Sequence, residues 1–280
     1  MPKGKLSVVL GPAQETLLIT LYGRAVETIK RSGLIDDPRA VEIAEQLNYN
    51  FAKWNGAHSL AAATLRTRMF DEDVQAFLAE HRAGTIVELG CGLNTRFERI
   101  DNGLAQWVDI DLPDAIELRR RFFPDHPRRT VIAADLRDPA WLVELETWNR
   151  PFCFVAEGVV MYLDPPDAEQ LLSRLATHFP GSRLMLDTVP TSMRDAQHRH
   201  DAMKHLPPAS WFRWACDDPR QLERFAWRLE RSRTLMDAGP ELVRCTPWVL
   251  RALIRWFWWL PIKNIHGYKL NRFVTAQRNY

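Results

Sequence analysis

The sequence contains few cysteines, no long hydrophobic run and little net charge. Its four cysteines form no Cys-x-x-Cys pair, so we expect a reduced protein without a disulfide scaffold or a metal site. The first residues are too poor in apolar side chains to form the core of a signal peptide. The apolar stretch Trp248 to Leu260 is interrupted by two arginines and is too short to span a bilayer. We therefore expect a cytoplasmic protein with no membrane span, in which this stretch forms a buried or cavity-lining helix.

The formal net charge is only +2 at neutral pH, and we expect no nucleic-acid partner. The charge is uneven, however, because residues 190–280 contain sixteen Lys or Arg against eight Asp or Glu. Most of these arginines are expected on solvated helix faces, although a guanidinium fork also matches the carboxylate of an anionic substrate. Eleven tryptophans in 280 residues indicate a large core or an aromatic pocket. Nothing in this composition selects an oligomeric state.

Strand and helix patterns alternate through the middle of the chain. Strands are predicted at 85–89, 105–111, 130–135, 152–157 and 183–187. This alternation predicts an α/β, Rossmann-like fold with a doubly wound, mostly parallel sheet that binds ligands at the carboxyl ends of its strands. The predicted divisions are an N-terminal helical extension (1–80), a core (81–190), a helical cap near the C-terminus (191–265) and a closing strand (266–280). Within the cap, Trp211 to Trp214 and Leu222 to Leu229 are interpreted as helical pieces.

The stretch from Thr85 to Gly92 is an apolar run that stops at an acidic residue and two glycines. Gly90 and Gly92 allow a tight turn and a close approach of bare backbone to a ligand. Asp111 ends the next predicted strand, where a carboxylate can meet a ribose. Glu88 precedes the turn, where its carboxylate can accept hydrogen bonds or attract a cation. These features predict a binding site for a ligand that contains a nucleoside.

The turn lacks the third glycine of a dinucleotide fingerprint, because Leu93-Asn94-Thr95 takes its place. This difference favours S-adenosylmethionine over NAD. The adenosyl ligand has no pyrophosphate to seat on a helix N-terminus, and its sulfonium and ammonium groups suit acidic surroundings. An NAD-dependent oxidoreductase and a non-catalytic module that binds the adenosyl ligand are kept as alternatives.

Four segments, in this order, resemble the leucine carboxyl methyltransferase family. They are Leu65-Arg66-Thr67-Arg68, Glu88-Leu89-Gly90-Cys91-Gly92-Leu93-Asn94-Thr95-Arg96, Val108-Asp109-Ile110-Asp111-Leu112-Pro113 and Ala156-Glu157-Gly158-Val159-Val160-Met161-Tyr162-Leu163. The family includes protein phosphatase methyltransferases and bacterial O-methyltransferases of polyketide pathways such as the tetracenomycin type. The N-terminal part is more similar to the small-molecule branch. The resemblance implies a class I O-methyltransferase that uses S-adenosyl-L-methionine and releases S-adenosyl-L-homocysteine.

The resemblance implies roles for residues at the methionine end of this cofactor. Arg66 would contact the methionine carboxylate, and Gly90 and Gly92 would pass beneath the methionine portion. Glu157 would lie near the amino group of the ligand or by the adjoining loop. The alternative for Arg66 is a charge on a helix surface.

The resemblance implies further roles at the adenosine end. Asp111 would accept hydrogen bonds from the ribose hydroxyls, and the alternative is a carboxylate that only caps the strand end. Asp135 and Leu136 would flank the adenine, and Asp135 would accept a hydrogen bond from its exocyclic amine. Asp109 is expected to be structural.

The acceptor is predicted from the chemistry of the transfer. Alignment and exclusion of water carry most of the catalysis. A carboxylate is ionised at neutral pH and needs no base, whereas a phenol would gain from one. The shared motifs contain no convincing His or Lys, so we favour a carboxylate on an apolar or aromatic small molecule of polyketide type. A hydroxyl of such a molecule and the C-terminal carboxylate of a peptide or protein are alternatives. The candidate acceptor-pocket residues are Tyr162, Arg199 and Arg213, and the alternative for Tyr162 is packing under the following helix. His198, His200 and His205 are expected in solvent, and the alternative is that one of them acts as a base.

Overall fold

The structure is a computed structural model that describes residues 4–31, 33–256 and 266–275. The last residues of the predicted helix at 248–260 and of the predicted strand at 266–280 lie outside these ranges. The strands are β1 (Leu6–Ser7), β2 (Leu47–Asn48), β3 (Thr85–Leu89), β4 (Gln106–Asp111), β5 (Arg129–Ala133), β6 (Phe152–Ala156), β7 (Arg183–Thr188), β8 (Trp227–Arg233) and β9 (Lys269–Thr275). The helices are α1 (Leu17–Thr28), α2 (Pro38–Gln46), α3 (His58–Glu80), α4 (Arg96–Ile100), α5 (Pro113–Arg120), α6 (Ala140–Glu144), α7 (Pro165–His178), α8 (Thr191–Asp195), α9 (Pro240–Cys245) and α10 (Trp248–Trp256). Within these ranges, every helix is too short or too polar to cross a membrane.

A seven-stranded sheet forms the centre of the fold, in the order β5-β4-β3-β6-β7-β9-β8. Strands β3 to β7 pair in parallel, whereas β9 runs antiparallel to both β7 and β8. From β3 the chain moves outward through β4 and β5 and then returns to β6 on the other side of β3. The predicted doubly wound, mostly parallel sheet is confirmed. Its switch in strand order lies between β3 and β6, where such sheets bind ligands.

Both faces of this sheet are buried, which explains the continuous apolar run in β3. Val87 and Leu89 belong to a core that includes Leu171 of α7. Ile86 belongs to a second core, which includes Met69 of α3. Successive side chains of a strand point to opposite faces, so a strand covered on both faces carries apolar residues on both of them.

The N-terminal helices are fastened to the loop that follows β3. Arg24 of α1 is buried, and its guanidinium donates to Asp37 Oδ2 at 2.9 Å and to the carbonyl oxygen of Leu93 at 2.7 Å. Asp37 also caps α2 by accepting from the Ala40 amide. These bonds hold α1 beside the glycine turn, so the helical extension forms one wall of the region above the sheet edge.

The prediction that Leu222 to Leu229 is helical is wrong for its second half. Trp227 to Arg233 forms β8, the edge strand of the central sheet. Its burial alternates along the chain, from buried Trp227 to exposed Arg228, which is the two-residue period of a strand. The segment Trp211 to Trp214 is not helical either, because the amides of Arg213 and Trp214 both donate to the carbonyl of Met161. The predicted cap at 191–265 therefore contributes a strand to the core sheet, and the other predicted divisions stay predictions.

Candidate cofactor and acceptor site

A cavity of about 980 Å³ opens at the carboxyl ends of the parallel strands. Strands β3, β4, β5 and β6 run in the same direction, so their ends meet at one edge of the sheet. The predicted cofactor residues that line this cavity are Arg66, Gly90, Gly92, Asp111, Asp135, Leu136 and Glu157. The structure thus brings seven of the eight together, while their roles as ligands stay predictions.

The glycine turn after β3 has a backbone that other residues would strain. Gly90 and Gly92 have φ angles of +63° and +47°, in the left-handed region that favours glycine. A Cβ on Gly90 would lie 2.6 Å from Cγ2 of Val159, and a Cβ on Gly92 would lie 3.1 Å from Cβ of Leu17. Glycine at both positions therefore allows this backbone conformation and its close packing against Val159 and Leu17.

Asp111 ends β4 with a partly buried carboxylate that is fixed by backbone amides. The Gly92 amide donates to Oδ2 at 2.7 Å and the Leu112 amide donates to Oδ1 at 2.7 Å. Burial raises the pKa of Asp111 to about 6, although these two hydrogen bonds act to lower it. Each oxygen keeps a further lone pair, so the carboxylate can accept hydrogen bonds from the hydroxyl groups of a ligand in the cavity.

Arg66 of α3 lies in a cluster of acidic groups. Its Nε donates to Glu157 Oε1 at 3.0 Å, and its Nη1 donates to Asp187 Oδ2 at 3.1 Å and to the Tyr268 hydroxyl at 2.8 Å. Among the described residues, Nη2 has no hydrogen-bond partner. Arg66 is therefore a largely buried, oriented cation rather than a charge on a helix surface, and it keeps one nitrogen free for an incoming anion.

Glu157 stays ionised within this cluster. Burial acts to raise its pKa, but the charges of Arg66 and Arg96 lower that pKa to about 2. The Thr67 hydroxyl donates to Oε1 at 2.6 Å, and Arg96 donates to Oε2. A fixed negative charge at this edge of the sheet suits a ligand that carries an ammonium group.

Glu88 is the predicted cofactor residue that the structure does not bring to the cavity. Its carboxylate is buried and receives two hydrogen bonds from Arg96, at 2.7 and 2.8 Å. The same guanidinium contacts Asp71 and Glu157, so Arg96 joins three carboxylates, and of these only Glu157 lines the cavity. The cation that Glu88 attracts is thus internal to the protein, which corrects its place among the cofactor residues.

Asp135 and Leu136 lie at the more open end of the cavity. Asp135 is paired with the partly exposed Arg137, with a shortest separation of 2.5 Å, and this hydrogen bonding lowers the pKa of Asp135. Leu136 is buried. An ionised acceptor beside an apolar side chain suits the edge and face of a purine.

The other end of the cavity is apolar, and it is built from α1, α10 and the segments after β7. Its lining includes Leu17, Ile19, Met193, Met203, Phe212, Met236, Val249 and Leu250. The prediction of a lining helix at 248–260 therefore fits Val249 and Leu250, whereas Trp248 is 78% exposed. Tyr162 also lines this end, and burial raises the pKa of its hydroxyl to about 12. This chamber is suited to a largely apolar acceptor.

The two arginines predicted as acceptor-pocket residues have different positions in this structure, and their role stays a prediction. Arg199 does not line the cavity, and its Nε donates to Nε2 of His198. Arg213 does line it, but it is half exposed and paired with Asp164 at 3.1 Å. The other described cations of the lining are paired with carboxylates as well: Arg24, Lys30, Arg66 and Arg137. His200 lines the cavity, in contrast to its expected place in solvent, whereas His198 and His205 do not.

Sequence reasoning did not assign site roles to Asp187, Tyr268 and Arg96. Asp187 lies near the end of β7, so its position after an apolar run could have identified it in the same way as Asp111. Tyr268 precedes β9 and reaches Asp187 and Arg66 only because that strand returns beside β7. Asp109 has a structural role, as predicted. Arg119 Nε donates to Asp109 Oδ2 at 3.0 Å, and Arg119 Nη1 donates to the carbonyl oxygens of Gly92 and Asn94 in the glycine loop.

Known proteins are similar to this chain in sequence or in fold. Residues 17–176 match the family described as leucine carboxyl methyltransferase. The tetracenomycin polyketide synthesis O-methyltransferase TcmP of Streptomyces glaucescens is 33% identical over 84% of this chain and 89% of its own length. A putative S-adenosyl-L-methionine-dependent methyltransferase of Mycobacterium avium is 31% identical over 72% of this chain and 73% of its own length.

The fold is shared with a solved structure from Streptomyces avermitilis, described as a DUF574 family protein. The two align with a TM-score of 0.58 at 15% identity, over 93% of this chain and 97% of the other. The family match covers more than half of the present chain, and the polyketide-pathway relative extends over most of it. This chain therefore belongs to the leucine carboxyl methyltransferase family and is an S-adenosylmethionine-dependent methyltransferase.

Proposed function

We propose that the enzyme methylates the carboxylate of an apolar, aromatic small molecule of polyketide type and forms a methyl ester. The observation that carries this proposal is the single cavity that joins the polar strand ends to the apolar chamber. TcmP acts in tetracenomycin polyketide synthesis by its name, which agrees with an acceptor of polyketide type. Family membership removes the NAD-dependent oxidoreductase and the non-catalytic module from consideration.

The polar end of the cavity has the donors and acceptors that the cofactor requires. We assign Asp111 as the acceptor of hydrogen bonds from the ribose hydroxyls. The free Nη2 of Arg66 is assigned as the donor to the methionine carboxylate, and Glu157 is assigned to the side of the methionine amino group. We place the methionine portion above Gly90 and Gly92, which line the cavity. At the adenosine end, Asp135 accepts a hydrogen bond from the exocyclic amine of the adenine, and Leu136 packs on the adenine ring.

S-Adenosylmethionine, when bound, supplies a methyl group whose bond to the sulfonium sulfur breaks as the bond to the acceptor oxygen forms. The work of this chain is to align the two and to exclude water. The apolar walls of the chamber exclude water from the acceptor, and Leu17 and Phe212 restrict its position. The acidic groups near the strand ends are held in ion pairs or by amides, and the lone pair of His200 Nδ1 accepts from two backbone amides. The pKa of Tyr162 is too high for a base at neutral pH. An acceptor that is already ionised matches this chamber.

The affinity for S-adenosylhomocysteine is expected to fall as the pH drops from 7 to 5. The pKa of Asp111 is about 6, so its carboxylate gains a proton over this range and loses acceptor capacity. At pH 5 about one carboxylate in ten is ionised, and the dissociation constant rises by up to about tenfold if only that form binds. Calorimetric titrations at pH 5, 6, 7 and 8 measure this change. The Asp111→Asn variant is the control and should give a flat profile, whereas a flat profile for the wild type would contradict the assignment.

The acceptor chemistry is tested with three naphthalene compounds and a labelled methyl donor. We expect methylation of 2-naphthoic acid and 3-hydroxy-2-naphthoic acid and no methylation of 2-naphthol. With the hydroxy acid, mild alkaline hydrolysis distinguishes the products, because a methyl ester releases labelled methanol and a methyl ether does not. Labelled methanol is the expected result.

Two outcomes would overturn this proposal. Base-stable label on the hydroxy acid, together with turnover of 2-naphthol, would assign the enzyme to hydroxyl groups. Methylation of a peptide with a free C-terminus but not of its C-terminal amide, with neither acid used, would assign it to peptide carboxylates.

A further inference from the structure

His200 occupies a defined place in the wall of the acceptor chamber. It follows a short helical turn, Gln197–Arg199, and its side chain is 29% exposed. The adjoining segment is attached to the N-terminal part of α3, because the Ser59 amide donates to Asp201 Oδ2 at 3.2 Å. The indole of Trp54 donates to the carbonyl oxygen of Ala202 at 3.3 Å. The position of the imidazole is therefore set by two independent attachments of its neighbours.

The hydrogen bonds of the His200 ring determine which nitrogen carries the proton. Its Nδ1 accepts from the amides of Ala202 and Met203, each at 3.3 Å. A nitrogen that accepts must present a lone pair, so the proton of the neutral ring is on Nε2. Burial lowers the pKa of His200, against the charge of Asp201, which keeps the ring neutral at pH 7. In the described part of the chain, no group hydrogen-bonds to Nε2.

We infer that His200 is a specificity-determining residue whose Nε2–H donates a hydrogen bond to the non-reacting oxygen of the acceptor carboxylate. This inference rests on the proposed function, and it names the contact by which the chamber distinguishes an acid from an apolar molecule of the same shape. A hydrogen bond from this N–H is stronger to an ionised oxygen than to a neutral oxygen, so the donor favours a carboxylate over an uncharged acceptor. The ester product carries no charge, so the same contact weakens after transfer and favours release.

The other imidazole that lines the chamber is less suited to this role. His58 is exposed at the first position of α3. In contrast to His200, its ring has no hydrogen bond to any described residue that would fix its orientation. The cations of the lining are each paired with a carboxylate, and Arg66 lies at the strand ends among Glu157 and Asp187. His200 is thus the better oriented of the two imidazoles in the lining.

The test uses variants that separate the donor from the fold of the loop. In His200→Asn, the amide oxygen can still accept from the backbone near the position of Nδ1, but no donor remains at the position of Nε2. In His200→Gln, the amide nitrogen reaches toward that position and restores the donor. His198→Asn is the matched control, because His198 lies in the same segment but outside the cavity.

Binding of 2-naphthoate to each variant, saturated with S-adenosylhomocysteine, is measured by quenching of tryptophan fluorescence. We expect His200→Asn to weaken this binding by about tenfold to about a hundredfold, which is the effect of losing a hydrogen bond to a charged group. Binding of 2-ethylnaphthalene and of S-adenosylhomocysteine should be unchanged. In turnover, KM for 2-naphthoic acid should rise with little change in kcat, and His200→Gln should recover part of the loss.

Unchanged 2-naphthoate affinity in His200→Asn would overturn the inference while leaving the proposed function intact. The same holds if His58→Phe, rather than His200→Asn, loses the affinity, or if 2-ethylnaphthalene binding falls equally, which would indicate a purely structural role. Failure of the proposed function is recognised separately, because the wild-type enzyme would then methylate neither naphthalene acid.

Discussion

Replacing Arg96 by methionine is expected to lower the free energy of unfolding by about 3–5 kcal/mol, the usual result of leaving buried charges without their partner. The Arg96 side chain is 1% exposed and bonds Glu88, Asp71 and Glu157. Asp71 keeps Arg99, and Glu157 keeps Arg66, whereas Glu88 has no other hydrogen-bond partner among the described residues. Urea denaturation followed by circular dichroism measures the loss.

The pH dependence of this loss identifies Glu88 as its main source. Burial already raises the pKa of Glu88, against the charge of Arg96, and removing that charge raises it further. A carboxyl whose pKa is higher in the folded state than in the unfolded state stabilises the fold at low pH, and this contribution disappears as the pH rises through the folded pKa. The destabilisation should therefore be larger at pH 8 than at pH 5.

Arg121→Met provides the control for the Arg96 experiment. Arg121 forms a surface pair with Glu117, and both side chains are more than half exposed. Such pairs contribute about 0–1 kcal/mol. If Arg96→Met costs no more than Arg121→Met, the three carboxylates do not depend on Arg96.

Replacing Asp111 by asparagine is expected to weaken S-adenosylhomocysteine binding by about 1.5–3 kcal/mol, because hydrogen bonds to a charged group contribute about this much. The dissociation constant should rise roughly tenfold to a hundredfold. The change also disturbs the turn, since one amide oxygen must replace two carboxylate oxygens that hold Gly92 and Leu112. Calorimetric titration of the folded variant measures the affinity.

Asp125→Asn is the matched control for this experiment. Asp125 is exposed and does not line the cavity, so the same chemical change there should leave the affinity unaltered. An Asp111→Asn variant that binds within twofold of the wild type would show that the carboxylate only shapes the strand end and makes no contact with the ribose.

The positions of Asp111 and Glu157 show why part of the site could be predicted. Asp111 and Glu157 each follow an apolar run, and parallel strands bring their carboxyl ends to one edge, so strand pattern and sheet direction suffice to place them. Glu88 also lies near a strand end, but its side chain points to a different neighbour. The sequence does not show that Arg96, eight residues later, meets Glu88 together with Asp71 of α3.

The sequence by itself determined the alternating α/β fold, the glycine turn and the family, because these depend on local pattern and on motifs in a fixed order. Tertiary structure alone decided which charges are partners, since Arg66 reaches carboxylates that lie 91 and 121 residues further along the chain. It also decided that Trp227 to Arg233 is a strand, because β9 was available to pair with it. Adjacent Arg199 and His200 make the same point. Both are polar in the sequence, and only the packing of their segment against α3 directs His200 into the chamber and leaves Arg199 outside.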